Sequence, residues 1–358
     1  MEHNTVYDTI IVGSGPAGLT AGIYMSRGSR KTLILAGRKW GGQLMLTTEI
    51  ENFPGFPEGI MGPELMKKMR EQAAKYGSEI LDVNFARLQL PEQSDGGQVS
   101  ASNGKGVFTV ISDDDKKYYS KSIIIATGAD TKWLQIKGEQ EKIGRGVSSC
   151  APCDAAFYRN KKVVVIGGGD SAMEEALVLT KFASEVYIFH RRDSFKASDV
   201  MQKKVFENEK IKVIWNTEPV EILGEMKVER VRLKSIVNNQ ESKVRVKSQN
   251  QEKEMSIEEL GGTALPSSQV TNDQELLWEF PTDGVFVAIG HIPNSAIFEG
   301  IDRDEKGFIK QYPGSKTNIE GVFVSGDVHD STYMQGVTAA AFGCMAALDV
   351  EKYLEMQG

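Results

Sequence analysis

Cysteine is scarce in this chain, with three in 358 residues, so a scaffold stapled by disulfides is excluded. Histidine is scarce as well. The four histidines, at 3, 190, 291 and 329, have no ligand spacing, and there is no second cysteine pair to complete a four-ligand zinc site. A basic excess is missing too. The formal net charge is -7, which argues against a nucleic-acid-binding surface. No apolar run approaches the ~20 residues that a membrane helix needs. The opening MEHNTVYDTIIVG has no basic region followed by an apolar stretch, so no secretory signal is expected and the cytoplasm is the default location. What remains is an ordinary globular composition, 40% hydrophobic and 25% charged, at a length that suits two domains.

Two glycine clusters organise the chain. The first is YDTIIVGSGPAGLTAGIY, in which a short β-branched run meets Gly13, Gly15 and Gly18 in G-x-G-x-x-G, and a helix-compatible stretch follows. The second is KVVVIGGGDSAMEEALVL, with Gly167, Gly169 and Ala172 in G-x-G-x-x-A. In such a unit the glycines serve a tight turn, a close approach of backbone to a pyrophosphate, and close helix–strand packing. The helix N-terminus then faces the phosphates. One motif alone is weak, but two between a strand and a helix are strong.

The strand after each unit should show which ribose is held, since an acid there favours a free hydroxyl and arginine a 2′-phosphate. After the second unit comes VYIFHRR, with Arg191 and Arg192 at its end and Lys196 beyond. This pattern reads as NADPH. After the first comes TLILAGRK, which has no acid, and Arg38 and Lys39 read as solvated. SIIIATGA at 122–129, GVFVAIGHIP at 284–293 and GVFVSGDV at 321–328 are buried-strand patterns, the last ending in Asp327, a residue type that can bond a ribityl hydroxyl. The expected fold is therefore α/β, with two Rossmann-like dinucleotide-binding domains, the second inserted into the first. The boundaries are 1–129 with 290–358, and 130–289. The stretches 94–106 and 238–274 are polar and read as surface loops.

Between the units lies CAPCD, with Cys150 and Cys153. A C-x-x-C pair can close a small disulfide ring, and CDAAFY after Pro152 reads as a helix start whose dipole would favour a thiolate. Zinc and a coincidental structural pair are the bland alternatives. Cys344, in AAAFGCMAAL, reads as a buried helical cysteine and His329 as a loop histidine.

Taken in order, G-x-G-x-x-G, GGQL, ENFPGF, ATG, C-x-x-C-D, GGGDSAxEEA, HRRD and GVFxxGD resemble the low-molecular-weight thioredoxin reductases over nearly the whole chain. The resemblance implies an FAD domain split around an NADPH domain, a homodimer, and thioredoxin as protein substrate. It implies that Gly13, Ser14, Gly15, Pro16, Ala17, Gly18, Gly42, Gln43, Leu44, Asn52, Thr127, Gly128, Asp327 and Gln335 contact FAD. Gly167, Gly169, Asp170, Ser171, His190, Arg191, Arg192 and Lys196 would line the NADPH site. Cys150 and Cys153 would be the redox pair, Cys153 the flavin-proximal sulfur, and Asp154 the acid that handles the thiol proton. Electrons would pass from NADPH through FAD and the disulfide to thioredoxin. A related flavin disulfide reductase with another donor, or with a peroxidase or glutaredoxin-like partner, is the alternative.

Lys196 and Met334 stand where the family usually has arginine. CAPCD comes before Lys162 in the chain, so it is expected at the entry end of that strand, with the nicotinamide at the exit. No single pose would then present both to one flavin, and the inserted domain would pivot about its two crossings.

Overall fold

The computed structural model describes residues 5–47, 49–91, 107–237, 243–266 and 275–357. The chain forms two compact units, Met1–Asp130 with Ile292–Gly358, and Thr131–His291.

In the first unit, five parallel strands stand in the order Val322–Val324, Ile123–Ile125, Thr9–Val12, Thr32–Leu35, Glu79–Leu81. Their apolar runs are continuous rather than alternating because both faces are covered, as parallel sheets require. Ile11, Ile34, Ile124 and Phe323 enter one core with the helices Pro16–Arg27 and Gly62–Lys75. Ile10, Val12, Leu33, Leu35, Ile123 and Ile125 enter another on the opposite face. Each such side chain, fully buried, contributes about 1.5–3 kcal/mol. The last strand and the helix Gly336–Met356 come from the far end of the chain. That helix lies so close to Pro16–Arg27 that a Cβ on Gly343 would stand 2.2 Å from the Ala17 carbonyl oxygen. A smaller sheet of Val6–Tyr7, Lys117–Ser120, Phe108–Ser112 and Phe85–Gln89 completes the unit.

In the second unit, seven strands stand in the order Val147–Ser148, Gly284–Ala288, Lys162–Gly167, Glu185–Phe189, Ile211–Ile214, Lys243–Ser248, Gln251–Ser256. The first five are mutually parallel, and the last two are an antiparallel hairpin. A second sheet, antiparallel, packs Trp278 and Phe280 against Phe189.

The hairpin corrects the reading of 238–274 as loop. Lys243–Ser248 reads K-V-R-V-K-S, and Val244 and Val246 are buried while the residues between them are not. The period-two pattern is there, but only two apolar residues carry it among charged ones. The stretch 94–106 lies outside the described residues.

Candidate active site

The redox turn is built at the carboxyl edge of the second unit's main sheet. Val147 and Ser148 form a two-residue strand paired parallel to Val285 and Phe286, and Phe286 pairs on its other side with Val165. Ser148 is thus level with Val165, and the chain runs past it to Cys150 at the end of the sheet where Gly167 ends its strand. This overturns the expectation that CAPCD sits at the entry end. The chain comes back to Lys162 only after Ala151–Asp154 and the 3-10 turn Ala155–Tyr158. The redox turn and the second glycine turn thus share one end of the sheet, so strand placement alone does not require the alternating poses that the resemblance implies.

Cys150 and Cys153 are joined in a disulfide with their Cα atoms 5.3 Å apart. Both are half-buried. Cys150 caps a single helical turn, so the dipole expected there is that of one turn only. Its carbonyl accepts the N–H groups of Cys153 and Asp154, at 3.2 and 3.1 Å. Its own N–H donates to Ser148 Oγ at 3.0 Å. The next N–H, of Ala151, donates to Glu175 Oε2 at 2.5 Å. The electrostatic neighbours are therefore acids. Burial raises the Asp154 carboxyl above the usual range, and a Ser148 hydrogen bond opposes this in part. Burial pushes Glu175 up to about 8, with the Ala151 N–H opposing and Asp154 adding to the rise. Sequence reasoning missed Glu175, one of two adjacent glutamates in the motif's helix.

At the second glycine turn, a Cβ on Gly167 would lie 2.4 Å from the Ala288 carbonyl oxygen, and φ is +158°. A Cβ on Gly168 would stand 2.2 Å from the His190 ring, whereas Gly169 has nothing within 4 Å. Gly169 caps Asp170–Leu179, so the helix N-terminus opens onto clear space. His190 stands against Gly168, one residue before the cap. It is buried, its ring bonds the Ser194 carbonyl at 3.0 Å, and burial lowers its pKa. Asp170 Oδ1 accepts from both N–H and Oγ of Ser198 at 2.8 Å, tying the helix start to the following loop. Ser171, Arg191, Arg192 and Lys196 are exposed, and among the described residues no ion pair involves the three cations.

The first unit holds a cavity of about 330 Å³. Of the residues expected there, Gly13, Ser14, Gly15, Pro16, Ala17, Gly42, Gln43, Leu44, Thr127, Gly128 and Asp327 line it. Gly18, Asn52 and Gln335 are not among its lining residues. A Cβ on Gly18 would meet the Gly13 carbonyl oxygen at 2.0 Å, so this glycine serves helix packing. Asn52 Nδ2 faces Gln335 Oε1 at 3.5 Å. Ser14 Oγ is engaged by the protein, donating to the Ala36 carbonyl and accepting from Gly41 N–H. Arg38 is paired with Asp113, and Lys39, read as solvated, is exposed yet also lines the cavity. Met334, which stands where the family usually has arginine, lines it as well, and so do Asn84, Asn294 and Ser325, which no sequence motif marks as cofactor contacts.

Two buried oxygens here have no hydrogen-bond partner among the described residues, Ser325 Oγ and Asp327 Oδ1. Burial, with Asp330 nearby, pushes Asp327 up to about 7. Unsatisfied buried polar atoms are costly, and two of them in one glycine-lined cavity fit a polar occupant. Gly15 also leaves its backbone open, with nothing within 4 Å of a Cβ built on it.

Residues 7–343 match the pyridine nucleotide-disulphide oxidoreductase family, and the chain belongs to it. The family joins a flavin and a pyridine nucleotide to disulfide chemistry, and the protein is an oxidoreductase of that kind. The chain is 44% identical over 347 residues to a thioredoxin reductase of Rickettsia prowazekii (strain Madrid E), covering 96% of this chain and 97% of the relative. It is 40% identical over 356 residues to the bifunctional thioredoxin reductase/thioredoxin of Mycobacterium leprae (strain TN), covering 98% of this chain and 67% of that longer protein. Among solved structures, the thioredoxin reductase from Giardia duodenalis superposes with a TM-score of 0.78 at 34% identity, covering 99% of this chain and all of the other. No helix among the described residues is long and apolar enough to cross a membrane.

Proposed function

We propose that this protein is an NADPH-dependent thioredoxin-disulfide reductase, with FAD in the first unit and NADPH in the second. The observation that carries the reading is the closed Cys150–Cys153 pair, set at the carboxyl edge where the second glycine turn also opens. The full-length likeness to thioredoxin reductases supports it. The cavity residues Gly13, Gly15, Gly42, Thr127, Ser325 and Asp327 would hold the FAD. Gly169, Arg191, Arg192 and Lys196 would hold the NADPH, the cations taking its 2′-phosphate. A flavin bound in that cavity would supply the means to turn hydride donation by a nicotinamide into two-electron reduction of a disulfide.

The chain's own residues do the rest. Two electrons and two protons convert the Cys150–Cys153 bond to two thiols. Asp154, held above the usual carboxylate range by burial, can give up its proton as the thiols form and take one back as a thiolate forms. That thiolate attacks one sulfur of the thioredoxin disulfide, forming a mixed disulfide and releasing the other thioredoxin sulfur. The second cysteine of the pair then breaks the mixed bond. The Cys150–Cys153 disulfide closes again and dithiol thioredoxin leaves. Cys153, next to Asp154, is the sulfur we assign to the flavin side, and Cys150 the one that attacks.

We read the protein as a cytoplasmic homodimer, in line with the resemblance and with a thiol pair that must be reduced to work. An assay with NADPH and NADH in parallel, and thioredoxins as acceptors, tests the reading. Thioredoxin reduction faster with NADPH is expected. Flavin reduction with no thioredoxin-type acceptor turned over would leave the family standing and remove the substrate.

A further inference from the structure

The hairpin Lys243–Ser248 and Gln251–Ser256 does more than extend the sheet edge. Val213 and Ile214 pair with Lys247 and Val246, which places Arg245 just past the end of the Ile211–Ile214 strand. There the Arg245 carbonyl accepts the Trp215 N–H at 3.1 Å. Its guanidinium turns back toward the loop that follows Glu185–Phe189, and Nη2 donates to the Asp193 carbonyl at 2.8 Å. The preceding carbonyl, of Arg192, accepts from Asn216 N–H at 3.1 Å. Two successive carbonyls of the basic turn are thus held, that of Asp193 by the hairpin's Arg245 and that of Arg192 by the backbone just after Ile211–Ile214. Between the two layers lies the buried Trp215, 4.5 Å from the Phe195 ring and 5.8 Å from the Arg245 guanidinium. Arg245 also pairs with Glu252 of the hairpin's second strand. Its charge is therefore engaged within the hairpin, while Arg191, Arg192 and Lys196 have no ion pair among the described residues.

We propose that Arg245 is a positioning residue that fixes the Arg191–Asp193 turn and thereby sets the preference for a 2′-phosphorylated nicotinamide nucleotide. The inference rests on the reading that this loop takes the 2′-phosphate. Arg191 and Arg192 are exposed side chains on a turn, and exposed side chains aim at one phosphate only if the backbone beneath them is fixed. The tether matters most where Lys196 supplies a point charge in place of a guanidinium fork. Arg245 acts through the turn and touches no nucleotide.

The test measures binding of NADP⁺ and of NAD⁺ to the flavin-loaded full-length protein by calorimetry, at several salt concentrations. Arg245→Met keeps an apolar stem at the position but removes the donors. NADP⁺ is expected to weaken by about tenfold, the scale of one hydrogen bond to a charged group, with NAD⁺ changed by less than about twofold. The salt dependence of NADP⁺ binding should match the parent, because no phosphate-facing charge is removed. Arg245→Lys keeps the charge, but its single ammonium cannot serve both Glu252 and Asp193. It should show a smaller loss, and it stands in if the Met variant melts early. Unchanged NADP⁺ affinity in either folded variant overturns the proposal. So does a parallel loss of both nucleotides, or a flattened salt dependence, which would make Arg245 a direct ligand. Arg191→Ala with Arg192→Ala is the control. If that pair leaves the NADP⁺ over NAD⁺ preference intact, the 2′-phosphate reading of the loop fails, and the role of Arg245 falls with it.

Discussion

Glu175 accepts the N–H of Ala151, the residue after Cys150, so the redox turn is fastened to the helix that opens the second glycine unit. The carboxyl that makes this bond is largely withdrawn from water and stands near a second acid, Asp154. Any change of charge on Glu175 is felt at the turn.

The first prediction is a pH dependence of stability. Glu175 has a native pKa pushed to about 8, above its ordinary 4.5. Between those values the native state binds more protons than the unfolded one, so stability falls as pH rises through that window. Asp154 is displaced in the same direction. Glu175→Gln keeps an acceptor for Ala151 and has nothing to ionise. Its melting temperature should therefore decline less than the parent's between about pH 5 and 8. Identical slopes in the two proteins would assign Glu175 an ordinary pKa.

A second prediction separates the chemistry of the two units. Cys150→Ser with Cys153→Ser removes the disulfide but none of the cavity or the glycine turns. NADPH should still bleach the flavin absorbance, while thioredoxin reduction falls to background. Thioredoxin turnover that survives the double substitution would place the reactive sulfur elsewhere.

The third concerns Ser325, a buried hydroxyl with no partner among the described residues. A hydroxyl that served the fold would cost stability on replacement, whereas deleting an unsatisfied one is neutral or stabilising. Ser325→Ala should therefore leave the melting point of the flavin-free protein unchanged or higher, yet weaken flavin retention by about tenfold. A lower apo melting point with normal flavin retention would reverse both signs.

What can be read in the sequence, and what cannot, follows from how local each signal is. The glycine turns are legible because each glycine answers to atoms a few residues away or to the adjacent strand. Ser325, Asn84 and Asn294 are not, because their types are common and only the sheet order brings them to one cavity. The Val147–Ser148 strand is too short for any periodicity, and it alone decides which edge receives Cys150. The hairpin of Lys243–Ser248 and Gln251–Ser256 is hidden because its buried face offers two valines among charges. Thr127 shows a detail that the sequence leaves out. Its position at a strand end reads as a cofactor contact, and it does line the cavity, but its hydroxyl is already given to the Asn294 carbonyl at 2.8 Å.

The last prediction contrasts two glycines of one motif. At Gly13, φ is +116° and an added Cβ would lie 2.1 Å from the Ala126 carbonyl oxygen. Gly13→Ala must therefore move backbone of the central sheet, and a loss of several kcal/mol, on the order of 3–5, is expected. At Gly15, φ is -67° and an added Cβ meets nothing within 4 Å. That position is the cap of Pro16–Arg27, where alanine costs about 1 kcal/mol or less relative to glycine. Gly15→Ala should fold with nearly the parent's apo melting point, and its defect should emerge only when the cofactor is added, because the methyl occupies the space in which a pyrophosphate approaches the helix N-terminus. The measurement is a pair of melting curves for each variant, without and with FAD. The expected pattern is an apo loss for Gly13→Ala, and for Gly15→Ala a lost FAD-dependent rise on a normal apo curve. If Gly15→Ala gains as much from FAD as the parent does, the open space beside Gly15 is not where the dinucleotide passes.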